Sequence, residues 1–236
     1  MSVNRFAMSS TALCARPEAL MRVGLADGSR VIVDLSGDWM TEKAWSAARD
    51  FLNRPGAQAL TLLRIRRPDD DAELEALARL AALRPSGFVL SACRNAADIQ
   101  MLDVMLRVAE AEHGFDAGSI AIVAEIGGEP EFFLSPNSLR GMSQRLQGLL
   151  FNTQALTEAT ASEAFNEAAG RVAAPLLFAR ATAVLKAHEA GLSCHALVGD
   201  STLSGDSLRL WQRTGHADGF AGVVVRTMAQ LTELTA

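Results

Sequence analysis

Three cysteines in 236 residues, Cys14, Cys93 and Cys194, are too few and too far apart for a disulfide framework, and none stands in a CxxC or CxxH pair that would hold zinc. That usage fits a reduced, cytoplasmic setting. No apolar run is long enough to cross a bilayer, and the opening MSVNRFAMSSTALCARPEAL has no continuous apolar core behind a basic start, so neither a membrane span nor export is expected. Basic charge is not in excess. The net charge is −5 with acids and bases interleaved, which offers no basic face to nucleic acid or anionic lipid. No glycine fingerprint follows the early strand-like runs, so an open doubly wound sheet is only the alternative fold. No linker, repeat or low-complexity segment divides the chain, and residues 1–236 are read as one domain.

What is present is a rhythm of short β-rich runs and longer amphipathic ones. The runs at Ser29–Leu35, Ala59–Ile65, Ser86–Ala92, Ser119–Ile126, Leu146–Asn152, Leu192–Gly199 and Gly219–Arg226 are apolar on both faces. That suits parallel strands covered by helices outside and by packed side chains inside. Between them, residues 40–52 open with Thr41 as cap, residues 69–83 carry acids first and then Leu74, Leu77 and Leu80 at helical spacing, and residues 95–114 end on a glycine. Counting Asn4–Leu13 as a first strand gives eight βα units, the number that closes a (β/α)8 TIM barrel.

The order of motifs supports the same fold. It runs RPEAL at Arg16, VIVDLSGD at Val31, LLRIRRPD at Leu62, SGFVLSACRNAADI at Ser86, VAEIGGE at Val123, GLLFNTQAL at Gly148 and GFAGVVVRTMAQL at Gly219. This series resembles the citrate lyase β-subunit-like branch of the HpcH/HpaI aldolase family over nearly the whole chain. The resemblance implies carbon–carbon lyase or aldolase chemistry on an acyl-CoA or a small oxo or hydroxy acid, Mg²⁺ held by two carboxylates, a substrate-binding arginine at Arg64, and a homo-oligomer. The departures are at the site. The metal carboxylates fall at Gly127 and Ala155, the lysine and glutamate after strand four at Ala92 and Arg94, and the last-strand lysine and histidine at Val223 and Thr227. Of an acidic cluster after strand two only Asp34 is kept, with Ser36 and Gly37 beside it. The family's C-terminal lid is likewise not expected. No cofactor is therefore expected, with magnesium entering only through the resemblance.

The residues at strand ends decide what such a mouth can do. Glu125 shares a strand face with Gly127, about 7 Å earlier along the strand. Two readings stand: a displaced metal ligand or acid/base, or an ion pair with an interior arginine. Glu129 and Glu131 bracket Pro130 in the next loop, either as loop ligands for a metal or as acids at a helix start. Arg64, Arg66, Arg94 and Arg226 all lie at strand ends, where guanidinium forks could hold a carboxylate or phosphate together with Asp34. The competing reading has Asp34, Asp38 and Glu125 neutralising them as a structural network. His195 alternates with Cys194 and so faces the other way, while His113, His188 and His216 fall at helix ends. Cys93 beside Arg94 is either a mouth thiol of lowered pKa or a buried inert one. Phe132 and Phe133 are either core or an exposed contact surface.

Two functions follow as expectations. One is a lyase or aldolase. The other is a non-catalytic barrel with a regulatory or scaffold role that binds an anionic metabolite, an acyl-CoA or a partner through mouth arginines.

Overall fold

A computed structural model describes residues 11–21, 30–37, 39–55, 57, 61–162, 165–166 and 171–235. Six strands come first: β1 (Thr11–Ala15), β2 (Arg30–Asp34), β3 (Thr61–Ile65), β4 (Gly87–Leu90), β5 (Ala121–Ile126) and β6 (Leu146–Asn152). After a short antiparallel ribbon, β7 (Phe165–Asn166) with β8 (Arg171–Val172), come β9 (Ser193–Leu197) and β10 (Gly222–Val225). All but the ribbon pair in parallel and close a barrel in the order β1-β10-β9-β6-β5-β4-β3-β2. The expected strands are present, most with trimmed ends, while Leu146–Asn152 keeps its bounds and the first strand runs past Leu13 to Ala15. The first begins at Thr11, and residues 4–10 of the expected run lie outside the described residues, as does Asp38.

Strand alternation sorts the apolar residues into two cores. Cys14, Ile32, Leu62, Val89, Val123 and Leu150 pack with their counterparts on β9 and β10 inside the barrel. Leu13, Val33, Leu63, Leu149 and Cys194 belong to the outer core beneath the helices. Because Leu197 is inside and Cys194 outside, the alternation turns His195 inward, as expected. Following the inner set one step further toward the C-terminal mouth reaches Asp34, Arg64, Ser91, Glu125, Asn152 and Arg226.

The helices are α1 (Pro17–Leu20), α2 (Glu42–Leu52), α3 (Asp71–Ala81), α4 (Ala96–His113), α5 (Glu131–Leu134), α6 (Thr153–Ala159), α7 (Ala174–Ala190), α8 (Gly205–Ala217) and α9 (Met228–Thr235). Their ends follow local chemistry. Thr41 Oγ1 accepts from Ala44 N at 3.2 Å, Asp70 from Glu73 N at 2.9 Å, and Gly114 stops α4 at φ +66°. In the β5–β6 unit the helix is a single turn, and residues 135–145 run on between α4 and α7. Ser143 donates to Asp103, Lys186 donates to the Ser135 carbonyl, and buried Arg145 bonds Glu110 at 2.6 Å and Asp103 at 2.8 Å.

Candidate functional site

The mouth is organised around one guanidinium. Arg64, on β3, reaches across β4 to Glu125 on β5, donating from Nε to Oε2 at 2.5 Å and from Nη2 to Oε1 at 2.7 Å. Its Nη1 donates to Asp34 Oδ1 at 2.8 Å and to Ser36 Oγ at 2.5 Å. Four of the five N–H groups of an arginine are thus used. Asn152 Nδ2 adds a third donor to Glu125 at 2.8 Å, and its Oδ1 caps α6 by accepting from Ala155 N at 3.1 Å. Glu125 is only 2% exposed, so this is a desolvated, bidentate pair.

The charges hold one another. Burial alone would raise the Asp34 pKa, but Arg64 and two hydrogen bonds from Ser36 bring it below its ordinary 3.8. Burial would lower the Arg64 pKa, yet Glu125 and Asp34 raise it. Cys14, directly beneath, is pushed up to about 12 by burial and then by Asp34. Of the two readings of Glu125, the interior ion pair is the one formed.

The other sequence-derived residues are placed differently. Arg94 is held at the start of α4 by Asp98, with Nη2–Oδ1 at 3.1 Å and its own backbone N–H on Oδ2 at 2.9 Å. Arg67 shares that carboxylate at 3.2 Å. Arg66 is exposed. Arg226 is half-buried and donates from Nε to the Val198 carbonyl at 2.9 Å; among the described residues no carboxylate bonds its terminal nitrogens. It comes two residues after inward-facing Val224 and so continues the inner row of β10. Arg64 and Asp34 are therefore brought together, while Arg94 is engaged elsewhere. The Glu129 backbone carbonyl accepts from Phe132 N at 3.2 Å, and the Glu131 carboxylate accepts from Asn95 Nδ2 at 3.2 Å. Phe132 and Phe133 are buried in the outer core and make no contact surface. Cys93 is buried, and burial followed by Asp98 pushes it up to about 12, the opposite of an activated thiol.

The positions that the resemblance assigns to metal ligands do not fit a metal. Gly127 sits at φ +129°, and a Cβ there would lie 2.3 Å from the Asn152 carbonyl oxygen. No carboxylate can stand at that position on this backbone. A Cβ on Gly128 would meet the Cβ atoms of Ala92 at 3.5 Å and Ala155 at 3.9 Å, so small residues occupy the space where charged groups are expected. Among the described residues no three His, Cys, Asp or Glu side chains are grouped to hold a metal ion. Glu125, two residues before Gly127 on β5, already accepts three hydrogen bonds.

Beside the network lies a cavity of about 200 Å³ between the ends of β1 and β2 and the starts of α1 and α2. Arg16, Glu18, Asp34, Ser36, Thr41 and Lys43 are among its lining residues, and Lys43 pairs with Glu18 at 3.2 Å. Arg16 and Lys43 did not stand out in the sequence as ligand groups. The available signal was position: Arg16 comes two residues after inward-facing Cys14, so it continues the inner row onto the rim.

No protein-family model matches the chain, and no curated protein matches it in sequence. Its fold is that of several solved structures. It aligns with the citrate lyase beta subunit of Mycobacterium tuberculosis complexed with oxaloacetate and magnesium at TM-score 0.73 and 19% identity, covering 97% of this chain and 96% of that one. Haloferax volcanii malate synthase, as a lead(II) complex, aligns at TM-score 0.72 and 18% identity, covering 95% and 71% respectively. RipC from Yersinia pestis aligns at TM-score 0.68 and 19% identity, covering 96% and 93%. At these identities the likeness is one of fold.

Proposed function

We infer that the chain is a divergent barrel of the HpcH/HpaI aldolase, citrate lyase β-subunit-like kind. Its mouth binds a small anionic metabolite, a di- or tricarboxylate, without a divalent metal. Support for the ancestry comes from the shared fold and from the seven motifs in order. The observation that carries the loss of metal chemistry is Gly127, whose backbone excludes a side chain at the expected ligand position. Carbon–carbon cleavage in such a barrel develops an enolate, and that charge needs an electrophile. Here the interior cation is Arg64, and it is already neutralised by Glu125 and Asp34. Among the described residues, Arg226 after β10 and Arg16 on the cavity wall make no ion pair and keep donors to spare. They shift the ligand arginines from Arg64 and Arg94 to the β1–β10 side of the mouth.

Thermal stabilisation by oxaloacetate, citrate and coenzyme A, measured in EDTA, tests this reading. The carboxylates raise the melting temperature of the wild type, and Arg16→Gln or Arg226→Gln loses about 1.5–3 kcal/mol of binding per charged hydrogen bond removed. Identical shifts in wild type and both variants would remove the anion site. Magnesium-dependent lyase turnover of an acyl-CoA substrate would restore the catalytic reading.

A further inference from the structure

Two opposite charges stand side by side at the rim of the barrel without pairing. Ala15 of β1 is in register with Val33 of β2, and Arg16 continues extended at φ −66° and ψ 152°, so Arg16 comes level with Asp34. Both line the cavity beside the Arg64 network. Yet among the described residues the Arg16 guanidinium makes no ion pair and no hydrogen bond, whereas Lys43 on the same wall is taken by Glu18. Asp34 is used on one side only. Its Oδ1 accepts from Ser36 N at 3.1 Å, Ser36 Oγ at 2.7 Å and Arg64 Nη1 at 2.8 Å, while Oδ2 accepts from no described residue. Arg64 cannot balance what it touches. It stands between Asp34 and Glu125, and the other donors to these carboxylates, Ser36 and Asn152, are uncharged. The trio therefore keeps one negative charge in excess. Desolvation opposes that charge on Asp34, but Arg64 and Ser36 hold its carboxyl below the ordinary range, so it stays ionised at neutral pH.

We propose that the ligand of this mouth is a 2-amino dicarboxylate, with its α-carboxylate on Arg16, its ammonium on Asp34 Oδ2 and its second carboxylate toward Arg226. The assignment rests on the carboxylate-binding reading above and adds the group that reading leaves open. A guanidinium fork with all its donors unused takes a carboxylate through two parallel hydrogen bonds. A carboxylate oxygen accepts only, so whatever meets Oδ2 must donate. An ammonium supplies the donor and also the positive charge that the trio lacks. A hydroxyl supplies the donor alone, and an oxo group would set one acceptor against another. The second carboxylate has a cation in line. Leu13 is in register with Val225, so Cys14 is level with Arg226, which follows Arg16 into the barrel by one inward step of about 7 Å.

Calorimetric titration of the full chain in EDTA tests this with four-carbon compounds that differ only at C2: aspartate in both enantiomers, malate, oxaloacetate and succinate. One enantiomer of aspartate binds at least ~10-fold tighter than the other three compounds, the gain expected of one charge-assisted hydrogen bond. In Asp34→Asn that ratio falls to about one, and Arg16→Gln weakens aspartate and succinate alike. Circular dichroism and melting report whether Asp34→Asn is folded, and the ranking in the wild type decides the matter if it is not. Succinate bound as tightly as aspartate overturns the amino-acid assignment and leaves the carboxylate site in place. Malate as tight as aspartate overturns it in favour of an uncharged donor. A preference that persists in folded Asp34→Asn overturns the role of Asp34. No heat with any of the compounds removes both the assignment and the site on which it rests.

Discussion

Arg64 and Glu125 meet across the barrel interior through two parallel hydrogen bonds of 2.5 and 2.7 Å, with Asp34 taking the third arm of the guanidinium at 2.8 Å. A protein cation thus occupies the centre of a mouth where the family resemblance calls for a metal. Removing one member strands the others, since a buried charge without its partner costs more than the pair contributes. Arg64→Met is expected to destabilise by about 3–5 kcal/mol in urea unfolding, and Arg64→Met/Glu125→Leu by distinctly less, a coupling that a double-mutant cycle reads directly. Additive losses would show that the two residues act independently.

Two neighbouring glycines separate backbone constraint from simple crowding. Gly127→Ala forces a Cβ to within 2.3 Å of the Asn152 carbonyl at φ +129°, whereas Gly128→Ala meets only ordinary contacts at 3.5 Å. The first is expected to cost at least ~2 kcal/mol and the second under about 1 kcal/mol. Equal midpoints in chemical denaturation would mean that the turn after β5 relaxes freely, and with it the case against a ligand at position 127.

Acid lability follows from Asp34. Its folded pKa lies below the ordinary 3.8, so the stability it contributes is complete above that value and disappears as pH falls through the depressed one. Between pH 5 and that depressed value, near and below ~3.8, the wild type is expected to lose stability more steeply than Asp34→Asn, as seen in melting temperature against pH. Parallel curves would mean that Asp34 is unperturbed.

Much of the fold was legible because doubly covered strands are apolar at every position, and caps such as Thr41, Asp70 and Gly114 need only local chemistry. The mouth was legible in part. Alternation marks Glu125 as inward when Gly127 is, and an interior arginine was one of its two readings. Which arginine is inward depends on the strand's parity, and Arg64 and Arg66 share it; only the end of β3 at Ile65 separates half-buried Arg64 from exposed Arg66. The partner of Arg94 was not legible: its side chain pairs with Asp98, four residues later on α4. The closed turn at Gly127 was hidden, because the obstruction is a backbone oxygen from β6, distant in sequence.

The central claim is that the mouth binds carboxylates without a divalent cation, and calorimetric titration with oxaloacetate tests it most directly, in EDTA and again in millimolar Mg²⁺. The account predicts equal affinity under both conditions, loss of the heat in Arg226→Gln, and no heat for Mg²⁺ alone. Binding that appears only with Mg²⁺ would contradict it.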